Sequence, residues 1–572
     1  MKKVLLLLLC FAAAYLIPLG VRPLVTPDEF RYAQIPCEML ESGNFAAPQM
    51  FSQPYFEKPV LGYWMTAVNF FLFGYNNFAI RLAAALSTGL TALLTGLLIF
   101  ITTRDKRFSL LGTAVYLGCG MVYALGIFAV LDAPMVLFST AALFCSYAYL
   151  QEERSKLSKV VLLILCGISC GLGFMVKGVP ALIAPGLGTA GFLIWQKKWK
   201  QFVIMPYLPV IFMLLTILPW TLAVHRADGD FWRYFIEVEH IERFTKGGVG
   251  QHQEPWYFLL PFFFGGAFPA VLLLFSGWGN FRKITKQMLA VPLYRFAFCS
   301  AVLPLILFSC SGGKLPTYIL PCFPGIAVLI AGFTVTALRG YERSERNLNI
   351  LFNCCGWFSG IAGILAVPAG YVLRFCFEGE EKLMVLSSPV LAAGASLAAG
   401  GMLLLLSEKK SIRQRLCCFA LPFLLPVLFV PFFITPDIKL SKMPLDELQN
   451  IRKRFSNASA DVHIVTFPSV MHACAWVFRT TDIQTLNSIG EMDYADWRAS
   501  RENRRPFRIT TQEFVRHLRN KKRKDVIYIF RTGRGVKGRG LSTSEEYIGK
   551  YLSARFYPGQ KKKATQGAGQ VK

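Results

Sequence analysis

Stretches of about 20 uninterrupted apolar residues recur from one end of the chain to the other. Each is long enough to cross the hydrocarbon core of a bilayer as an α-helix. Across 572 residues, 54% are hydrophobic and only 17% are charged, against roughly 25% charged in an ordinary soluble domain. No single core hides that much apolar surface. The pattern excludes a soluble enzyme, a disordered chain and an outer-membrane barrel, whose strands would alternate over about ten residues. The fold class expected is a polytopic α-helical membrane protein with about 13 transmembrane helices. The spans fall near residues 3–20, 78–102, 109–127, 131–150, 159–177, 180–196, 203–224, 255–277, 291–310, 316–337, 349–373, 385–406 and 415–434. The first, behind Met1-Lys2-Lys3, reads as an uncleaved span rather than a signal peptide. Residues 60–74 are apolar but short and interrupted, which suits a helix lying at the membrane interface.

Charge orients the spans. Lys and Arg collect in alternate short connections, at 1–3, 104–107, 154–159, 197–200, 282–286, 339–346 and 409–415. By the positive-inside rule these are cytoplasmic. The N-terminus is then cytoplasmic, and loops 21–77 and 225–255 and everything beyond 434 face the periplasm. The expected organisation is a membrane domain over 1–434, a soluble mixed α/β domain over 435–557, and a basic disordered tail over 558–572. Buried strands are expected at 461–467 and 525–530, and a helix at 511–519 with Thr511 near its N-cap. Much of the +27 net charge has this topological cause, so no nucleic-acid partner is implied. After residue 435, however, 27 Lys and Arg stand against 13 Asp and Glu. That basic face suits an anionic lipid surface or acceptor, or is simply well solvated. The fifteen cysteines lie mostly inside apolar runs and form no disulfide or zinc pattern.

Polar residues are costly at membrane depth, so their clusters are where chemistry is sought first. Five fall on the periplasmic side. Thr26-Pro27-Asp28-Glu29-Phe30-Arg31-Tyr32-Ala33 holds a base, metal ligand or ion pair, or only the acidic first turn of a helix. Tyr55-Phe56-Glu57-Lys58-Pro59 offers a phosphate-binding Lys and a metal- or sugar-binding Glu, or an interfacial anchor. Asp132 at the start of a span is a buried acid or an N-cap. Glu239-His240-Ile241-Glu242-Arg243-Phe244 precedes His252-Gln253-Glu254, and two of the chain's six histidines sit beside acids there. Imidazole and carboxylate suit zinc, but the spacing is loose. Ser311-Gly312-Gly313-Lys314-Leu315-Pro316-Thr317-Tyr318 allows close backbone approach and supplies a cation, or is a plain interhelical turn. Together, cations, acids and aromatics at one membrane face fit chemistry on a lipid-linked anionic substrate.

The strings Asp28-Glu29-Phe30-Arg31-Tyr32-Ala33, Tyr55-Phe56-Glu57-Lys58-Pro59, Glu239-His240 with Arg243-Phe244, and Gly313-Lys314-Leu315-Pro316-Thr317-Tyr318-Ile319-Leu320-Pro321 make the whole chain resemble the bacterial aminoarabinose transferases that modify lipid A. These are polyprenyl-phosphate-dependent membrane glycosyltransferases related to protein O-mannosyltransferases. The resemblance implies a fold of the GT-C glycosyltransferase type. It implies an undecaprenyl phosphate donor carrying 4-amino-4-deoxy-L-arabinose and a lipid A phosphate acceptor in the bacterial inner membrane. Masking that charge weakens attraction of polymyxin and other cationic peptides. The roles implied are Asp28, Asp132 and Lys58 for catalysis, and Arg31, Tyr55, Arg243, Lys314 and Tyr318 for phosphate and sugar binding. No cofactor is obligatory. Glu57, His240 and His252 are the candidates for a zinc or other divalent ion. Two alternatives stay open: a related transferase with a protein or glycan acceptor, and a lipid-linked sugar transporter. Against transport, the charges gather at one face and the two halves show no repeat.

Overall fold

An apolar run in lipid must satisfy its own backbone, so these segments form helices. The computed structural model describes the chain except residues 1, 153, 243–253, 374–387, 428–441, 459–461, 488–507, 521–522, 537–544 and 560–572. The chain divides into two compact units, Met1–Arg22, Asn44–Pro48 and Phe56–Pro436 in one, and Pro23–Gly43, Gln49–Tyr55 and Asp437–Lys572 in the other.

The first unit is helical. Among the described residues six helices are long and apolar enough to cross a membrane, or up to eight if each of two bent pairs is one span. The helix Asn77–Thr103 shows how such a span is built. The Asn76 side chain caps its start, accepting from the Ala79 amide. Thr88, Thr91 and Thr95 are buried, and each hydroxyl donates to the carbonyl four residues back. Arg81, wholly buried, donates to the carbonyls of Leu19 (2.6 Å) and Arg22 (3.0 Å). It thereby takes up helix-end acceptors that would otherwise be orphaned.

Two of the expected spans are broken rather than straight. Lys106–Leu117 meets Gly120–Gly126 at 66°, and Leu259–Gly266 meets Ala270–Gly277 at 80°. The breaks satisfy each other, because the Gly120 amide donates to the Phe268 carbonyl at 2.9 Å. Backbone freed by a break at membrane depth needs such a partner. The apolar segment near 60–74 is a helix over Leu61–Phe73, about 20 Å long. That is shorter than the hydrocarbon core, about 30 Å.

The second unit is built on a six-stranded sheet. Its strands follow a short hairpin of β1 (Gln49–Met50) and β2 (Gln53–Pro54) in the chain. They are β3 (His463–Thr466), β4 (Ile483–Leu486), β5 (Arg508–Ile509), β6 (Val526–Arg531), β7 (Glu545–Ile548) and β8 (Leu552–Tyr557). The order is β5-β4-β3-β6-β8-β7, parallel from β5 to β6 and antiparallel beyond. Central β3 is buried throughout, as expected of a parallel strand covered on both faces. The helix Thr511–Arg519 packs Phe514 and Leu518 against Val465, Val526 and Tyr528. Its N-cap is Thr510, one residue before the position expected, because Thr510 and Glu513 form a reciprocal capping box.

The helix Asp28–Ser42 belongs to this unit and packs on the helix Met471–Phe478. Near its end the buried Glu38 carboxylate accepts from Gln34 Nε2 (2.9 Å), the Phe51 amide (2.7 Å) and the Ser52 amide (2.9 Å). Phe51 and Ser52 form the tip of the β1–β2 hairpin, both with positive φ, 57° and 59°. Such a turn normally calls for Asn or Gly. Here a buried carboxylate gathers its amides instead.

Candidate active site

In the sheet-bearing unit, Pro27 precedes the first helical residue and Asp28 and Glu29 occupy the first turn, where carboxylates favour the positive helix end. The two acids have different work. Glu29 is fully buried and accepts from the Val25 amide at 3.0 Å, fixing the entry to the helix. Asp28 is half exposed and pairs with Arg31 Nη2 at 2.5 Å, one turn on. Arg31 lies largely buried, its guanidinium 5.0 Å from the centre of the Tyr32 ring. Burial, with the Arg31 charge adding to it, pushes the His472 imidazole down to about 3, so it is neutral and its ring stacks on Phe51 at 5.4 Å. Tyr55 is buried just after β2.

The helical unit holds the second group. Asp132 is the first residue of the helix Asp132–Tyr149, and no side chain caps that end. The expected alternative, an N-cap, does not hold: Asp132 pairs instead with Lys177 Nζ at 2.6 Å. Their side chains are 6% and 11% exposed, so this is a buried ion pair. Lys177 closes the helix Lys156–Lys177, where a cation complements the negative helix end as Asp132 complements the positive end of its own. The Lys177 ammonium also lies 5.7 Å from the centre of the Tyr318 ring. Tyr318 sits in the short 3₁₀ segment Pro316–Cys322. Just before it, the buried Lys314 donates to the Glu254 carbonyl at 2.7 Å. Lys58 is half-buried and donates to the Glu57 carbonyl at 2.8 Å. An ammonium has three donors, so the bond Lys314 makes to a neutral carbonyl leaves donors for an anion.

The structure thus brings Asp132 and Tyr318 to one cation, and Asp28 to Arg31. Arg243 and His252 lie outside the described residues, as does the side chain of His240. Among the described residues no three His, Cys, Asp or Glu side chains form a metal-ligating group. Lys177 is the functional candidate that the sequence reading missed. It ends an apolar run and looks like a membrane-boundary lysine, and its partner lies 45 residues earlier.

The family model for dolichyl-phosphate-mannose-protein mannosyltransferases matches residues 1–235. An undecaprenyl phosphate-alpha-4-amino-4-deoxy-L-arabinose arabinosyl transferase of Yersinia enterocolitica is 33% identical over 498 residues, covering 86% of each chain. One from an Enterobacter strain is 34% identical over 503 residues, again 86% of each. The chain belongs to this arabinosyl transferase family. Arabinosyl transferases of this kind have a solved fold: ArnT from Cupriavidus metallidurans, crystallised with undecaprenyl phosphate, aligns over 98% of this chain and 99% of its own, with TM-score 0.78 and 19% identity. The same ArnT in the apo state gives 0.77. The chain therefore has the GT-C fold of ArnT and is a multi-pass membrane glycosyltransferase.

Proposed function

We propose that this arabinosyl transferase moves 4-amino-4-deoxy-L-arabinose from undecaprenyl phosphate to a phosphate of lipid A. The kinship along 86% of the chain carries this reading. The buried Asp132–Lys177 pair beside Tyr318 supports it, as a preorganised charged group at the ends of helices. In the proposed topology thirteen spans leave the N-terminus in the cytoplasm. The reacting residues and a soluble α/β domain over 435–557 face the periplasm at the inner membrane, with 558–572 as a basic tail.

In the transfer, an oxygen of the lipid A phosphate attacks the anomeric carbon. The bond from that carbon to the donor phosphate oxygen breaks, and the electron pair leaves with undecaprenyl phosphate. The acceptor is already an oxyanion, so no strong base is required. The barrier lies in the charge that develops on the leaving phosphate, and fixed cations lower it. Lys58, Lys314 and Arg243 take that role, with Arg31 and Tyr55 aiding the acceptor and Tyr318 the sugar phosphate. Asp28 orients the acceptor or the cationic amine, and Asp132 acts beside the sugar through its pair with Lys177. Glu57, His240 and His252 would be the donors to a zinc or other divalent ion. When bound, the ion would hold the loop, and no step runs through it. The product carries less negative charge, so cationic peptides such as polymyxin approach it less readily.

The test is a purified, reconstituted protein given undecaprenyl phosphate–aminoarabinose and lipid A. The proposal predicts aminoarabinose on the lipid A phosphate and release of undecaprenyl phosphate. Transfer to a protein or glycan hydroxyl, with lipid A untouched, overturns the acceptor. Movement of intact donor across the membrane without transfer overturns the enzyme reading.

A further inference from the structure

A groove of about 690 Å³ opens in the helical unit. Its position follows from helix lengths. The helix Pro180–Trp195 begins three residues after Lys177 and ends at the groove with Trp195, roughly 24 Å further on at 1.5 Å per residue. The helix Pro292–Cys310 starts at the groove, with Arg295, and ends just before Lys314. The groove thus lies at the opposite helix ends from Lys177 and Lys314.

One wall is the helix Phe281–Ala290. Its inner face is anchored by buried Ile284 and Met288, and Phe281 packs on Phe333 with ring centres 5.0 Å apart. Its other face presents Arg282, Lys286 and Leu289 to the groove, at the spacing that keeps residues on one helix side. Arg295 donates to the carbonyls of Leu289 (2.5 Å) and Ala290 (3.3 Å), which fixes its guanidinium at the groove's end. Arg282 and Lys286 make no ion pair among the described residues. Among the described residues no acid lines the groove. Trp195 and Phe281 stand half exposed at its rim, and the amphipathic indole of Trp195 favours the headgroup level of a bilayer.

We infer that this groove is a binding site for an anionic glycerophospholipid, with its phosphate between Arg282, Lys286 and Arg295 and its glycerol and upper acyl chains against Trp195, Phe281 and Leu289. Three cations with no counter-acid among the described lining residues favour an anionic headgroup, whose phosphate oxygens can accept from more than one of them, and the apolar rim favours a lipid over a free phosphate. Basic pockets between membrane helices on the cytoplasmic side take such headgroups. On the topology proposed above, this is the cytoplasmic leaflet. The site itself does not depend on that reading.

The full-length protein is tested in nanodiscs and mixed micelles of phosphatidylglycerol and phosphatidylcholine, with retained lipid counted by native mass spectrometry. The site predicts selective, saturable retention of phosphatidylglycerol. Each cation near an anionic headgroup contributes about fivefold. Arg282→Gln with Lys286→Gln should therefore weaken retention by at least tenfold or so at an unchanged unfolding temperature. Lys409→Gln with Lys410→Gln, on a different basic loop, should leave it unaltered. Equal losses in both double variants would mean diffuse charge attraction and overturn the site. Equal retention of phosphatidylcholine by the wild type overturns it without any variant. Competition by glycerol phosphate as strong as by the lipid would reduce the site to an anion site and overturn the lipid. None of these readouts uses sugar transfer, so the outcome is separate from that of the proposed function.

Discussion

Removing Lys177 strips the buried Asp132 carboxylate of a partner 2.6 Å away, in a place where the two side chains are 6% and 11% exposed. At such exposure a lone charge is not rehydrated. Breaking a buried pair from one side costs about 3–5 kcal/mol. Lys177→Met is therefore expected to lower the unfolding temperature of the purified protein and to abolish most transfer. Asp132→Asn leaves the cation instead and should do the same. The double variant, Asp132→Asn with Lys177→Met, leaves neither charge of this pair. It should recover most of the lost stability, since neutral replacement of a buried pair is often tolerated. It should not recover transfer. A coupling of about 2 kcal/mol or more in the double-mutant cycle marks the direct pair, and the split between recovered stability and unrecovered activity marks its part in the reaction. Unfolding is followed by the thermal shift of the detergent-solubilised protein, and transfer by the lipid-linked product. A Lys177→Met variant that unfolds at the wild-type temperature and transfers at the wild-type rate would refute the reasoning.

Three further outcomes follow. Lys58→Ala and Lys314→Ala should each remove most turnover while the protein stays folded, since on the proposed mechanism each deletes a cation that neutralises the leaving phosphate. Near-normal rates at equal protein level would mark the lysine as an interfacial anchor. Asp28→Asn should impair transfer by upsetting orientation and charge, with no limb of the pH–rate profile that belongs to a single carboxyl base, measured with one acceptor for both proteins. Loss of a wild-type acid limb would assign Asp28 as a base, a role worth roughly 10²–10⁴-fold, and so a hydroxyl acceptor. His472 is held neutral, with its imidazole at about 3 instead of 6.5. Its contribution is present above pH 6.5 and drains away as the pH falls towards 3, by up to about 5 kcal/mol. Acid unfolding of the sheet-bearing unit, followed by tryptophan fluorescence, should be shallower in His472→Leu, and an unchanged profile contradicts the assignment.

What the residues disclosed depended on whether the signal was local. Asp28 and Arg31 stand three apart in a helix-starting string, and the ion pair is the spacing made solid. Strand β6 is apolar up to its last residue and β3 carries Ile464, Val465 and the β-branched Thr466, so both were legible as buried strands, while β7, whose exposed and half-buried residues alternate, was not. Asp132 stood out as an acid at a span's start. Its partner did not, because nothing local separates Lys177 from the lysines that snorkel at helix ends. The β1–β2 hairpin was invisible for a similar reason. Its tip, Phe51-Ser52, lacks the usual turn residues, and the carboxylate that gathers its amides is Glu38, more than a dozen residues earlier. The two breaks in the membrane spans carry Gly120 and Pro269, but the mutual satisfaction of their backbones depends on a contact some 150 residues apart in the chain, an order of separation that hydropathy does not register.

The central claim is the reaction itself, and the mass of lipid A tests it most directly. Lipid A is extracted from cells of a strain lacking its own aminoarabinose transferase but able to make the donor, with and without this protein. The account predicts a gain of one aminopentose per modified phosphate that appears only with the protein and disappears in Lys177→Met. Lipid A of identical mass in both strains, with the protein present in the membrane and the donor present in the cells, would contradict it.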